Sequence, residues 1–147
     1  TGNKVSDVTA LGEIPALTSV YLAGNQVKDA TPLFKCPKLS SLYLDGNQVS
    51  DIKGIGSCKW LGMLSLKGNQ IVDASPIEPL GELRFLFLET KKISDIAPLQ
   101  RMLKKDMDGL REFAPYLNLY LEGNPLSDAS KAMMEEMKKS GLRIDQK

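Results

Sequence analysis

Asparagine stands at positions 3, 25, 47 and 69, each 22 residues after the last, and again at Asn124. An apolar frame repeats around it with the same pitch. Leu17, Val20, Leu22, Asn25, Val27 and Asp29 are followed by Leu39, Leu42, Leu44, Asn47, Val49 and Asp51, then by Leu61, Leu64, Leu66, Asn69, Ile71 and Asp73. Leu83, Leu86, Leu88, Lys91, Ile93 and Asp95 continue the frame, as do Tyr116, Leu119, Leu121, Asn124, Leu126 and Asp128. Asn3, Val5 and Asp7 open the chain as a partial copy. A fixed period of this length specifies a solenoid, because one such unit cannot bury its apolar edge alone and must stack on its neighbours.

Each unit carries the period-2 alternation of a half-buried strand. Val20 and Leu22 point inward, so Ser19, Tyr21 and Ala23 point outward. The asparagines Asn25, Asn47, Asn69 and Asn124 are expected to turn inward at the strand's end and form a structural ladder. A buried amide left unpaired costs roughly 1–3 kcal/mol, so each needs backbone partners in its own and the adjacent coil. The aspartates at 7, 29, 51, 73, 95 and 128 precede small residues and often proline, the pattern of a cap on a short helical turn. That role accounts for every copy, and no metal site is expected.

The wording of two segments, GNQVSDI over Gly46–Ile52 and DATPL over Asp29–Leu33, resembles the leucine-rich repeat family, in its 22-residue bacterial branch typified by internalins. The resemblance runs from Thr1 to about Asp128. It implies an α/β solenoid: a right-handed coil with a concave parallel β-sheet and convex turns or 3₁₀ segments. It also implies a protein-binding module, adhesin-like and exported to a bacterial cell surface. A cytoplasmic regulatory scaffold of the phosphatase-regulator type and an inert structural spacer are the alternatives.

Departures from the period define the rest of the architecture. Lys91 to Asn124 spans 33 residues instead of 22, and Leu99, Leu103, Met107 and Leu110 in that stretch have the spacing of an amphipathic helix inserted on the convex side. The same repeat reads ETKK where others read GNQ, and Lys91 is expected to extend outward because an ammonium cannot replace a buried amide. After Ser127, Ala129, Ala132, Met133 and Met137 outline a C-terminal capping helix, and Leu142 to Ile144 a short extended piece. Residues 1–147 then form one repeat domain: 1–15 a partial first repeat, 16–126 five strand-bearing repeats with an insertion near 100–112, and 127–147 the cap. Because the chain opens within a repeat, residues 1–12 are expected to be its loosest part.

Cys36 and Cys58 are 22 apart and share one inward station with Ile14, Leu80 and Met102. Buried free thiols are the reading, although strands about 4.8 Å apart also permit a bridge. Formal net charge is +1, which supplies no electrostatic footprint for nucleic acid, and no apolar run is long enough for a membrane span. With no histidine, the commonest general base is missing. Glu89 and Glu122 occupy equivalent stations about 5 Å apart, a spacing suited to retaining glycosidases, but an open sheet gives neither a reason to stay protonated. No enzymatic activity and no cofactor are expected.

The outward strand positions carry the functional expectation. One file reads Tyr21, Tyr43, Ser65, Phe87, Tyr120 and its neighbour Ser19, Ser41, Met63, Phe85, Asn118. Aromatics in file on a solvent face are unnecessary to the core and suit protein recognition, while packing across strands is the plainer role. The expected partner-binding set is Tyr21, Tyr43, Met63, Phe85, Phe87 and Tyr120, with Asp45, Lys67, Arg84, Glu89 and Glu122 as polar rim. Trp60 is either a further surface anchor or a cover over its neighbours. The partner is a protein of unspecified identity, and the chain is expected to act as a monomer.

Overall fold

The computed structural model describes residues 1–145. Six short parallel strands form one sheet in sequence order: β1 Ser19–Tyr21, β2 Ser41–Tyr43, β3 Met63–Ser65, β4 Phe85–Phe87, β5 Asn118–Tyr120 and β6 Arg143–Asp145. Their register follows the repeat, with Val20, Leu42, Leu64, Leu86, Leu119 and Ile144 paired in one row. The first three strands of the row after β1 contribute fully buried leucines, and the adjacent row Leu44, Leu66, Leu88 and Leu121 is buried as well. Burial of one such side chain contributes about 1.5–3 kcal/mol.

Opposite the sheet, the 3₁₀ segments Thr9–Glu13, Thr31–Lys35, Ile55–Ser57, Ser75–Ile77 and Ala114–Tyr116 return the chain. Asp7, Asp29, Asp51 and Asp73 each accept the N–H of the residue two places on, at 2.8–2.9 Å, and Asp95 does so at 2.8 Å ahead of helix α1. These are Asx turns ahead of the helical cap position rather than caps proper, one residue before it at Asp7, Asp29, Asp73 and Asp95 and three before it at Asp51. At the last copy the role passes to the preceding residue: Ser127 caps helix α2 (Asp128–Lys139) by accepting from Ser130 N–H, and Asp128 is the first helical residue.

The asparagine ladder forms as expected. Asn47 Nδ2 donates to Leu44 O in its own coil at 2.9 Å and to Leu22 O in the preceding coil at 2.8 Å, while its Oδ1 accepts Val27 N–H at 3.0 Å. Asn69 repeats all three bonds one coil later. A glycine precedes each ladder asparagine with φ between 61° and 74° (Gly24, Gly46, Gly68, Gly123). At Gly68 a Cβ would lie at an ordinary contact distance of 3.5 Å from the backbone of Gly46, so it is the left-handed conformation that favours glycine there.

The long repeat keeps the strand register, Phe85 opposite Asn118, by placing its extra residues in α1 (Ala97–Asp108). Leu99, Met102 and Leu103 are buried and Met107 half-buried, but Leu110 lies beyond the helix and is 82% exposed. The expectation that Leu110 packs inward is therefore wrong: the helix ends at Asp108, and Asp106 ties the following turn by accepting N–H groups of Glu112, Phe113 and Ala114 at 2.8–3.2 Å. Tyr116, placed in the inward frame by its spacing, is 58% exposed, and Leu117 fills the core station instead. A 3₁₀ turn ending at Tyr116 rotates the inward position on by one residue.

In α2 the buried face is Ser130, Met134 and Met137; Ala129 and Ala132 are exposed and Met133 is half-buried. The buried face keeps Met137 as expected but takes Ser130 and Met134 in place of Ala129 and Met133, with Ser130 Oγ accepting Ile96 N–H. Residues 1–12 are tied down more than expected, through Gly2 N–H to Ala23 O at 2.8 Å, Val5 N–H to Asn25 Oδ1 at 3.0 Å and Gln26 N–H to Val5 O at 2.9 Å. Both cysteines are buried free thiols, each Sγ facing a carbonyl of the preceding coil. Burial pushes the Cys58 thiol up to about 11 and raises that of Cys36.

Candidate functional site

Strand alternation sends one row of side chains from every coil onto the solvent face of the sheet. The central file is Tyr21, Tyr43, Ser65, Phe87, Tyr120 and Asp145 in strict register. Tyr21 and Tyr43 stack with ring centroids 4.8 Å apart, and Phe87 and Tyr120 stack at 4.3 Å. These separations follow from the strand pitch of about 4.8 Å, so the aromatic order is imposed by the repeat itself. Tyr21 is 60% exposed despite its stacking partner. Stacked pairs contribute about 0.5–1.5 kcal/mol beyond burial when the rings are offset, which serves sheet stability.

Ser65 interrupts the file. It is buried, and its hydroxyl donates to the Asp45 carboxylate. The aromatics therefore form two groups, Tyr21 with Tyr43 on one side and Phe85, Phe87 and Tyr120 on the other, where Phe85 runs nearly parallel to Phe87 at 6.5 Å. Met63 is half-buried on β3, in register with Phe85.

The charged rim splits in two. Asp45, Lys67, Glu89 and Glu122 follow the strands at one equivalent station, and Lys67 Nζ lies 3.4 Å from Glu89 Oε1. Arg84 sits apart, at the other end of β4: its guanidinium donates to Glu112 O at 3.2 Å and stacks 5.3 Å from the Tyr116 ring centroid. Trp60 is 66% exposed, which decides for a surface position over a covering one.

Spacing alone did not reveal the arrangement around Lys91. Thr90 is buried and Lys91 exposed, and Lys91 carries the left-handed φ of 62° that glycine carries in the other coils. The left-handed residue has moved on by one, so Thr90 occupies the inward position. The Thr90 hydroxyl, with one proton to give, lies 3.0 Å from Ile71 O and 3.1 Å from Asn124 Oδ1. Ile71 N–H, whose counterparts at Val27 and Val49 bond asparagine, has no acceptor among the described residues. Lys91 extends outward as expected, with its aliphatic stem over Gly123.

On the opposite side of the solenoid, a cleft of about 660 Å³ between α1 and the preceding coil is lined by Leu80, Met102, Leu110 and Phe113 among others. Among the described residues no three carboxylates or thiols converge as a metal-binding group, and no helix is long and apolar enough to cross a membrane. The arrangement with interaction chemistry is the sheet face, where exposed Tyr21 and Phe85, half-buried Tyr43, Phe87 and Tyr120 and the flanking charges share one surface.

Comparison with known proteins bears on this arrangement. A family model described as Leucine Rich repeats (2 copies) matches residues 15–57. No curated protein sequence matches the chain. Among solved structures, an internalin (inlF) from Listeria monocytogenes superposes with a TM-score of 0.73 at 24% identity, over 96% of this chain and 44% of that one. Internalin C2 (inlC2) from the same organism gives 0.72 at 28% identity, over 99% of this chain and 68% of that one. A leucine-rich repeat protein of Leptospira interrogans gives 0.63 at 20% identity, over 93% of this chain and 45% of that one. The chain thus spans less than half the length of the inlF structure.

Proposed function

Because the chain is a leucine-rich repeat protein of the internalin-like type, we propose that residues 1–147 form one protein-binding domain whose concave sheet face engages a protein partner. Leucine-rich repeats generally mediate protein–protein interaction, and the observation that favours this face is its aromatic cover: Tyr21, Tyr43, Phe87 and Tyr120 in one file and Phe85 in the next, with Tyr21 and Phe85 exposed and the others half-buried. Tyrosine and other aromatic residues supply large, stiff contact area at low entropic cost and dominate binding hot spots. Met63 adds an adaptable apolar contact. Asp45, Lys67, Glu89 and Glu122 would then set orientation at one edge, and Arg84 at the other.

The likeness to two Listeria internalins supports an exported, adhesin-like role at a bacterial surface, with a protein of another cell as partner. On this reading the domain carries no chemistry of its own and presents its face as a monomer. The test is capture of partners by wild type and by the triple variant Tyr43→Ala, Phe85→Ala, Phe87→Ala, with Leu110→Ser on the opposite side as control. The triple variant should lose the partner that wild type and the control retain. Equal recovery by all three would reduce the domain to a spacer.

A further inference from the structure

We propose that the Asp108–Gly109 peptide is a site of spontaneous backbone modification, at which aspartate converts to isoaspartate through a succinimide. The chain holds two Asp-Gly steps, Asp45–Gly46 and Asp108–Gly109, and no asparagine is followed by glycine. Glycine suits the reaction because no side chain shields its amide nitrogen. That nitrogen attacks Cγ of the protonated Asp108 carboxyl, and the new N–Cγ bond closes the ring. The amide proton leaves with the carboxyl hydroxyl as water. Water then reopens the ring at one of two bonds. Breaking N–Cγ returns aspartate, while breaking the bond to the α-carbonyl leaves the chain running through the side-chain carbonyl, with the α-carboxylate free. Mass is unchanged overall, and no reactant besides water takes part.

The two steps differ in what restrains the attack. Gly46 N–H donates to Lys67 O at 2.8 Å, Asp45 O accepts Gly24 N–H at 2.7 Å, and the half-buried Asp45 carboxylate accepts the Ser65 hydroxyl. Turning that carboxyl onto the Gly46 nitrogen requires three coils to part. Asp108, by contrast, is the last residue of α1 and begins an exposed stretch, residues 108–112. Its carboxylate has no hydrogen-bond or ion-pair partner among the described residues. Gly109 N–H donates to Asp106 O at 3.1 Å, within the same terminal turn. Helical backbone holds this nitrogen away from Cγ, so fraying is the step that permits attack. A terminal turn frays at almost no cost, whereas the middle of a sheet opens near the global unfolding free energy. The product inserts a methylene between α1 and the turn that Asp106 O also ties through Arg111 N–H at 2.9 Å. Leu110, on the rim of the convex cleft, lies in that turn and moves with it.

The full chain is aged at 37 °C and neutral pH in water enriched in heavy oxygen, one sample folded and one in urea. Each ring opening then leaves an isotopic mark. Trypsin releases residues 106–111 and 39–53, which separate the two steps, and electron-based fragmentation tells isoaspartate from aspartate. In the folded chain, product should form in 106–111 at least tenfold faster than in 39–53. In urea the two rates should converge to within about threefold, because the sheet that restrains Asp45 is gone. Asp108→Glu keeps the charge but lengthens the side chain past easy ring closure, and should eliminate the product with the circular dichroism spectrum unchanged. Three results would each overturn the proposal: equal rates at the two steps in the folded chain, no product at Asp108 in the folded chain, or the same product in Asp108→Glu. None of them depends on what the sheet face binds.

Discussion

The irregular coil can be made regular, and doing so should stabilise the protein. The double substitution Thr90→Gly, Lys91→Asn restores the sequence found at Gly68 and Asn69. The left-handed residue becomes glycine, which removes about 1 kcal/mol of strain now carried by Lys91 at φ 62°. The new asparagine supplies Ile71 N–H with the acceptor that Val27 and Val49 already have at 3.0 Å, removing a cost of about 1–3 kcal/mol. The Thr90 hydroxyl now 3.0 Å from Ile71 O is lost, but Lys92 N–H becomes free to bond that carbonyl as Gln70 N–H bonds Val49 O at 2.8 Å. Glycine adds unfolded-state entropy of roughly 0.5–1 kcal/mol. The balance is about 2 kcal/mol in favour of the double variant, or roughly 4–8 °C in Tm for a chain of this size. Urea unfolding followed by circular dichroism measures it. A double variant less stable than wild type would mean that the one-residue shift is a preferred packing and that the reasoning about the ladder is wrong.

Asn47→Ala removes two donated bonds and one accepted bond and should cost about 3–4 kcal/mol, against about 2 for Asn25→Ala, which donates nothing into a preceding coil; equal losses in urea titrations would contradict the account. The Thr31 hydroxyl and N–H hold Asp29 below the usual carboxylate range, and the Ser75 N–H and hydroxyl do the same for Asp73. The unfolded chain therefore takes up protons first as pH falls. Stability should be fully present above about pH 4–5 and decline below it, and Thr31→Ala should flatten that acid limb. Cys36 and Cys58, both buried and with raised thiol pKa, should resist alkylation by iodoacetamide at pH 7.5 and react together only when urea unfolds the chain. Rapid labelling of the native protein would show that the station is open.

The repeat made much of this legible in advance. The pairings of β1 to β4, the inward leucines and the asparagine bonds between these coils follow from a 22-residue register, because a parallel sheet built of equal coils has no other way to align. What escaped was local phase. Tyr116 and Leu117 compete for one inward station, and only the 3₁₀ turn before them decides it. Thr90 and Lys91 compete in the same way, and the winner depends on which residue accepts a left-handed backbone. Leu110 fits the helical spacing but lies past the point where Asp106 ends the helix. On the outer sheet face, the stations of the aromatics were readable from the register. The burial of Ser65 and the unpaired oxygen of Glu89 were not, since both arise from neighbours two dozen residues away along the chain.

The asparagine bonds between coils all run one way. Asn25, Asn47, Asn69 and Asn124 each reach back to the coil before them, accepting N–H groups at Val5, Val27, Val49 and Ile93. A coil is therefore chemically incomplete until its successor has been made. As the chain leaves the ribosome, each new unit closes the one above it, and the array matures with a lag of one coil from N-terminus to C-terminus. Loss of a late coil reopens its predecessor's backbone, whereas loss of an early one leaves its successor's own-coil bonds in place. The ladder gives the solenoid a direction as well as a pitch.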